Sequence, residues 1–257
     1  MKILITALAL FFLSSGICQS DFSAKEVLGH DIGSDFSRHS QVVEFFEKLN
    51  EAYPNNSKLE TYGNTTEGRR LQLFYIGSES TLSNLQEIRK NHLSLSESEK
   101  MPIVWLSYNV HGNESSGTEA AMKTALTLLR DKKEWLENVL VIMDPCLNPD
   151  GRDRYINFFK QYASNMNNSN VNALEHQEPW PGGRFNHYLF DLNRDWAWLT
   201  QAESKHRIKK YNKWLPHVHV DFHEQGINEN YYFPPAAEPY HEIVTDWQRK
   251  FQEYIGE

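Results

Sequence analysis

The segment 103–114, IVWLSYNVHGNE, decides the fold of this chain. Its first eight residues are apolar on both faces of a strand and run directly into the polar turn His111–Glu114. Strands that are covered on both sides by helices have this composition. Three further strand-like runs are separated by polar or helical stretches: Leu71–Ile76, Val139–Met143 and Val218–Phe222. We therefore predict an α/β layered fold whose sheet has a mainly parallel centre.

Helical periodicity marks several stretches between these strands. Ser116 and Glu119 have the spacing of a capping box, and an apolar stripe at helical spacing follows them. Two more helices are predicted over Gln41–Asn50 and over Tyr240–Ile255. The segments 21–40 and 160–183 show no period, so we interpret the first as a lead-in and the second as a long surface loop.

The first twenty residues have the layout of a secretory signal peptide. Lys2 precedes an apolar run from Ile3 to Leu13, and small residues follow. Cleavage after Cys18 or Ser20 fits this layout, while the bulky Ile17 argues against a lipid anchor at Cys18. We predict a cleaved signal peptide over residues 1–20, a single domain over residues 21–257, and a secreted or periplasmic protein.

Charge and cysteine content exclude other classes of protein. The formal net charge of −8, without any basic run, argues against a nucleic-acid-binding surface. No second apolar run could form a transmembrane segment. Once the leader is removed, Cys146 is the last cysteine, so no internal disulfide can form, and we expect a buried, inert thiol.

Two side chains with the chemistry of zinc ligands follow the predicted strand 103–110. His111 and Glu114 lie three residues apart in a tight turn that Gly112 permits. Imidazole nitrogen and carboxylate oxygen suit Zn²⁺, and a catalytic zinc requires a third protein ligand. We predict His223, which stands at the edge of the strand 218–222, as that ligand. The alternative is that it is a hydrogen-bonded histidine like its neighbours His217 and His219.

A carboxylate-binding cluster is predicted around Arg184. The sequence Asp191-Leu192-Asn193-Arg194 sets a guanidinium beside an amide, a pair that can bind a substrate carboxylate through bidentate hydrogen bonds. A thermolysin-type zinc motif is absent, because Ile227 and Thr245 stand where its second histidine would be.

These motifs, taken in order, resemble the M14 family of zinc carboxypeptidases, and the HGNE form is similar to its carboxypeptidase D/N-like branch. The resemblance spans most of the chain after the leader and is carried by five segments: Glu67-Gly68-Arg69, HGNE, Asn148-Pro149-Asp150-Gly151, GR…DLNR and His223. It implies a three-layer αβα fold with a mixed, centrally parallel sheet.

The resemblance also implies roles for single residues. His111, Glu114 and His223 would bind Zn²⁺, and Asn193 and Arg194 would bind the C-terminal carboxylate of a peptide or protein substrate. Arg184 would polarise the scissile carbonyl and stabilise the oxyanion. The general-base glutamate of the family is expected several dozen residues beyond the third ligand. Because only 34 residues follow His223, we expect that glutamate outside this chain and the catalytic domain to be incomplete and nearly inactive.

Three alternatives remain open. A deacylase of the aspartoacylase/succinylglutamate desuccinylase type would share the HGNE and DLNR motifs, although secretion and the motifs EGR and NPDG argue against it. A peptidase of the same family that acts on cell-wall peptides is compatible with every motif. A non-catalytic binding module would not need both a metal triad and a carboxylate clamp.

Overall fold

A computed structural model describes residues 22–94, 100–164, 168–226, 228–229 and 234–256. The predicted signal peptide, residues 1–20, lies outside the described residues. The chain divides into two compact units, of which the first ends at Phe222 and the second begins at His223. Helix α8, described below, belongs to the second unit, and all the other elements belong to the first.

Five strands form one sheet in the first unit. They are β1 (Ser57–Asn64), β2 (Arg70–Ile76), β3 (Ile103–Tyr108), β4 (Leu140–Asp144) and β5 (Val218–Phe222), in the spatial order β1-β2-β4-β3-β5. Strand β3 is parallel to both β4 and β5, whereas β2 pairs antiparallel with β1 and with β4. The sheet is therefore mixed with a parallel part around β3, which confirms the predicted fold class.

The described part of the chain contains eight α-helices, seven in the first unit and one in the second. They are α1 (Ala24–Leu28), α2 (His39–Ala52), α3 (Glu79–Ser83), α4 (Leu85–Leu93), α5 (Ser116–Asp131), α6 (Pro149–Tyr162), α7 (Ala202–Trp214) and α8 (Asp246–Gly256). None of the helices in these described residues combines the length and the hydropathy that a membrane span requires.

Helices cover both faces of the sheet. On one face, Phe45 and Phe46 of α2 and Met122 of α5 pack with alternate strand residues such as Phe74. On the other face, Trp214 of α7 packs with the intervening residues, which include Trp105. Because successive strand residues point to opposite faces, β2 and β3 supply both clusters and are mostly apolar, with Gln72 and Ser107 as buried polar exceptions. Full burial of one such apolar side chain contributes about 1.5–3 kcal/mol.

The predicted capping box at the start of α5 is wrong. The box would make Ser116 the N-cap residue, but the helix already begins at Ser116, and its N-cap residue Ser115 makes no side-chain cap hydrogen bond. Glu119 instead accepts hydrogen bonds from the Ser37 backbone N–H and from Arg152, each at 2.8 Å. A buried cation offers this carboxylate a stronger partner than a partly solvated helix end does.

Other boundaries differ from the sequence expectations. Helix α1 lies within the supposed lead-in, α6 extends three residues into the supposed loop, and α8 begins six residues later than predicted. Strand β1 was not predicted, because it is the edge strand of the sheet and its sequence SKLETYGN has few apolar residues.

Candidate metal centre

The turn after β3 is organised by Asn109. This residue has a positive φ of 61°, a conformation that asparagine tolerates better than most residues do. Its side-chain Nδ2 donates hydrogen bonds to the carbonyl oxygens of His111 at 2.8 Å and of Glu114 at 3.0 Å. The two candidate ligands are thereby held on one short turn at the carboxyl end of a buried strand.

Three glycines let other segments approach this turn. A Cβ atom on Gly112 would lie 2.2 Å from the Arg152 backbone nitrogen, and one on Gly151 would lie 2.3 Å from the Gly183 carbonyl oxygen. A Cβ atom cannot approach backbone atoms this closely, so only glycine fits at these positions. The turn, the start of α6 and the segment before Arg184 therefore contact one another through backbone atoms.

The start of α6 positions Arg184. Asn148 is the N-cap residue: its side-chain oxygen accepts from the Gly151 N–H at 3.0 Å, and its Nδ2 donates to the Arg184 carbonyl at 3.1 Å. The EGR segment supports the same helix, because Arg69 binds the buried carboxylate of Asp150 at 2.8 Å. The motifs Asn148-Pro149-Asp150-Gly151 and Glu67-Gly68-Arg69 thus supply contacts that hold the site together.

The His111 imidazole lies between two carboxylates. Its Nδ1 is 2.7 Å from Glu114 Oε1, and its Nε2 is 3.1 Å from Asp191 Oδ1. The other oxygen of Asp191 accepts a hydrogen bond from Arg184 Nη2 at 2.9 Å. Burial raises the pKa of Asp191, but His111 and Arg184 lower it by more, so the pKa lies below its ordinary value. Asp191 therefore stays ionised and links the histidine to the guanidinium.

Strand β5 leads to His223 at the same edge of the sheet. Phe222, the last residue of β5, pairs with Tyr108, the last residue of β3, and their rings stack with centroids 4.3 Å apart. His223 is the next residue. One ligand atom from each of His111, Glu114 and His223 lies within 4.8 Å of the other two, so the three side chains form a group that could hold a metal ion. Two imidazoles and one carboxylate fit the donor set of a catalytic zinc.

The other two histidines of this strand make different contacts. His217 Nδ1 accepts a hydrogen bond from the Ile103 N–H at 3.0 Å, and His219 Nε2 lies 3.0 Å from Ser107 Oγ. Desolvation lowers the pKa of both imidazoles. Both are therefore hydrogen-bonded histidines of the sheet, as the sequence analysis described them.

The predicted carboxylate clamp directly follows Asp191. Residues Leu192–Arg194 form one turn of 3₁₀ helix, and the Asn193 N–H donates to Asp191 Oδ1 at 2.9 Å, the same oxygen that contacts His111. Arg194 is exposed, and its Nη1 lies 3.3 Å from the Asn193 carbonyl oxygen. Arg184 is 39% exposed at the side chain. Asn193 and Arg184 thus share the Asp191 carboxylate with His111, whereas the Arg194 side chain does not contact it.

Comparison with known proteins identifies the family. The family model described as "Zinc carboxypeptidase" matches residues 42–253, which is most of the chain. The chain belongs to the zinc carboxypeptidase family. Carboxypeptidase D of Drosophila melanogaster is similar to it, with 24% identity over 220 residues that cover 80% of this chain and 14% of that protein.

Solved zinc carboxypeptidase-like structures share the fold. Carboxypeptidase A from Helicoverpa armigera is 14% identical with a TM-score of 0.51, over 79% of this chain and 52% of that one. A metallo-carboxypeptidase from Burkholderia cenocepacia is 16% identical with a TM-score of 0.51, over 74% of this chain and 42% of that one. The chain spans about half the length of these structures and a much smaller share of carboxypeptidase D.

Two residues of the site had no predicted role. Asp191 belonged to the DLNR motif and Asn109 to the buried segment 103–114, yet neither was assigned a contact. The signal for Asn109 was a polar side chain inside an otherwise apolar run. The role of Asp191 depends on a contact between residues 80 positions apart, and no local pattern reports such a contact.

Proposed function

We propose that this chain binds Zn²⁺ through His111, Glu114 and His223 and forms the metal-binding part of a carboxypeptidase that removes C-terminal residues from peptides or proteins. The observation that carries the proposal is the convergence of these three donors at the carboxyl edge of two parallel strands. Membership of the zinc carboxypeptidase family supports the same proposal. Because the chain spans about half the length of its solved relatives, the activity of the whole protein is part of the proposal.

The contacts of His111 indicate which of its nitrogens would bind the metal. Nε2 faces Asp191, so Nδ1, which faces Glu114, is the proposed ligand atom. A carboxylate on the second ring nitrogen fixes the tautomer and raises the basicity of a metal-bound imidazole. Bound zinc supplies Lewis-acid chemistry: it lowers the pKa of a bound water and polarises a carbonyl.

The protein's own side chains would orient the substrate. We assign the free C-terminal carboxylate to the Asn193 amide and the Arg194 guanidinium, because an exposed fork of donors beside an amide recognises a planar carboxylate. Arg184 would donate to the oxygen of the scissile carbonyl as negative charge develops there. Its contact with Asp191 holds the guanidinium in place for that role.

We further propose that the protein is exported, on the basis of the signal-peptide layout of residues 1–20. Expression of the full sequence in a secreting host, followed by mass spectrometry of the extracellular or periplasmic protein, tests this. Export predicts a mature chain that begins after Cys18 or after Ser20. A protein that keeps Met1 in the cytoplasmic fraction would refute it.

Metal stoichiometry tests the ligand assignment. We expect one zinc per chain after dialysis of the wild type, measured by mass spectrometry of the metal, and a large loss in His111→Ala and in His223→Ala. His176→Ala is a matched control, because this histidine is exposed and its ring nitrogen Nε2 contacts the Asn168 carbonyl oxygen, away from the three proposed ligands. A wild type without zinc, or a loss as large in the control, would refute the assignment.

The substrate class is tested by the chemistry of the peptide terminus. A carboxypeptidase releases an amino acid from a peptide with a free C terminus and not from the same peptide with a C-terminal amide. N-acyl aspartate and succinylglutamate, assayed in parallel, report the deacylase alternative.

A further inference from the structure

A basic cavity lies beside the edge strand, away from the candidate metal centre. Its volume is about 340 Å³, and β1, α4 and α7 supply the charged side chains of its wall. These charged residues are Lys58, Glu60, Arg89, Lys210 and Lys213. Strands β2 and β4 separate β1 from β3, so the cavity shares no residue with the site around His111.

The wall carries a surplus of positive charge. Four cationic side chains face one carboxylate, which leaves a formal surplus of three charges. Glu60 is already engaged, because it pairs with Lys210 and accepts a hydrogen bond from Tyr75 at 2.7 Å. Within the described residues, Lys58, Arg89 and Lys213 have no carboxylate within ion-pair distance.

An ordinary solvated surface explains this arrangement poorly. Lysines on one helix face spread into water, whereas these cations come from three separate elements and line one concavity, where like charges repel one another. The floor of the cavity is rigid, because the buried rings of Tyr75 and Trp214 pack with centroids 5.7 Å apart. The cavity is therefore formed before any ligand arrives.

We propose that this cavity binds a small anion that carries phosphate or sulfate groups. A volume of about 340 Å³ is at the lower end of the range for small-molecule sites, which suits a compact polyanion. Lysine and arginine side chains are the usual ligands of such groups. Tyr75 and Trp214 are buried at 3% and 6% exposure, so they offer no free ring face, and charge determines recognition.

Calorimetric titration tests the proposal with two probes, inorganic pyrophosphate and a sulfated disaccharide. We expect saturable binding of at least one probe at one site per chain, and the stronger probe identifies the source of the anionic group. The double variant Lys58→Gln/Lys213→Gln should weaken this binding about tenfold or more, because the anion loses two charged partners. Lys58→Arg/Lys213→Arg should retain most of the affinity.

Lys205→Gln/Lys209→Gln is the matched control. Both lysines are exposed on α7, the helix that supplies Lys210 and Lys213, but neither lines the cavity. This control removes the same net charge and should change the affinity less than about twofold. Circular dichroism and thermal unfolding of every variant confirm that it is folded. The proposal is overturned if neither probe binds the wild type saturably, or if the control loses as much affinity as Lys58→Gln/Lys213→Gln.

Discussion

His111 Nε2 lies 3.1 Å from Asp191 Oδ1, across 80 residues of sequence. This contact joins the turn after β3 to the segment that carries the proposed carboxylate clamp, because Asp191 also accepts from Arg184 and from the Asn193 N–H. One carboxylate thus connects the proposed metal ligand with two of the three proposed substrate-binding residues, Arg184 and Asn193. A displacement of Asp191 would affect the metal site and the clamp together.

The first prediction concerns Asp191→Asn. The amide has nearly the same shape but no charge, so it holds the His111 imidazole less firmly and no longer attracts Arg184. We expect the zinc affinity to fall about 10- to 100-fold, as is typical when the hydrogen-bond partner of a metal-bound histidine is removed. Competition with a chromogenic chelator measures the dissociation constant.

Asp195→Asn is the control for that prediction. Asp195 is a buried carboxylate that accepts from the Thr200 and Gln201 backbone N–H groups instead of from a histidine. We expect this variant to lose stability but to bind zinc with nearly the wild-type affinity when folded. Equal zinc affinities for wild type and Asp191→Asn would show that Asp191 does not support the metal ligand.

A second prediction compares Gly112→Ala with Gly117→Ala. A Cβ atom on Gly112 would lie 2.2 Å from backbone atoms, so backbone segments must separate, at a cost of about 2 kcal/mol or more. Gly117 lies in helix α5, and the nearest atom to its Cβ position is 3.8 Å away. Alanine there should stabilise the protein by about 0.5–1 kcal/mol. Urea unfolding of both variants tests this, and equal effects would contradict the close approach.

The sequence predicts the parts of this fold that depend on local periodicity. β2, β3 and β4 were found within two residues of their bounds, because strands buried on two faces are mostly apolar. β5 lies at the other edge of the sheet and was found because its polar and apolar residues alternate. Strand β1 escaped prediction, since an edge strand half exposed to water has no such requirement. His111 and Glu114 could be predicted as site residues because they lie in the turn that follows a buried strand.

The contacts that organise the site were beyond prediction from sequence. Glu119 satisfies a capping pattern, yet it bonds with Ser37 and Arg152, which lie 82 and 33 residues away. Asn109 takes a left-handed conformation only because three carbonyl groups surround its amide. Such roles depend on which segments meet in three dimensions, and local sequence patterns do not contain that information.

The third prediction concerns pH and Asp144. This carboxyl is fully buried, accepts a hydrogen bond from the Tyr62 hydroxyl at 2.8 Å, and has its pKa raised from 3.8 to about 7, because burial outweighs Tyr62 and Arg207. A folded-state pKa above the unfolded value means that the folded protein binds more protons between pH 4 and 7. The contribution of Asp144 to stability is therefore present below pH 4 and lost as the pH rises through 7.

Asp144→Asn isolates this effect. The amide keeps an acceptor for Tyr62 but does not ionise. The free energy of unfolding of the variant should therefore increase relative to that of the wild type as the pH rises from 4 to 8. The gain is at most about 4 kcal/mol, from a shift of about three pH units. Other groups, such as His39 with its pKa lowered to about 4 by burial, cancel in the comparison. Parallel stability curves for the two proteins would contradict the raised pKa.

The fourth prediction concerns the buried ion pair of Arg152 and Glu119. Arg152 is fully buried, and it donates to the Glu119 carboxylate at 2.8 Å and to the carbonyl oxygens of Ser37 and Ser115 at 2.9 Å each. The pair thereby joins α6, α5 and the segment before α2. Arg152→Met leaves the Glu119 charge buried without its partner, and this should cost about 3–5 kcal/mol.

A double-mutant cycle separates the pair from the other contacts of Arg152. Glu119→Gln removes the negative charge but keeps an oxygen that can accept from the Ser37 N–H. In Arg152→Met/Glu119→Gln no unpaired charge remains, so the double variant should be less destabilised than the sum of the two single variants, by about 1–3 kcal/mol. The destabilisation that remains in the double variant comes from the hydrogen bonds that Arg152 no longer donates to the Ser37 and Ser115 carbonyl oxygens. If urea unfolding gave effects that add to within about 0.5 kcal/mol, the charges of Arg152 and Glu119 would not be coupled, and the carbonyl contacts alone would account for the destabilisation by Arg152→Met.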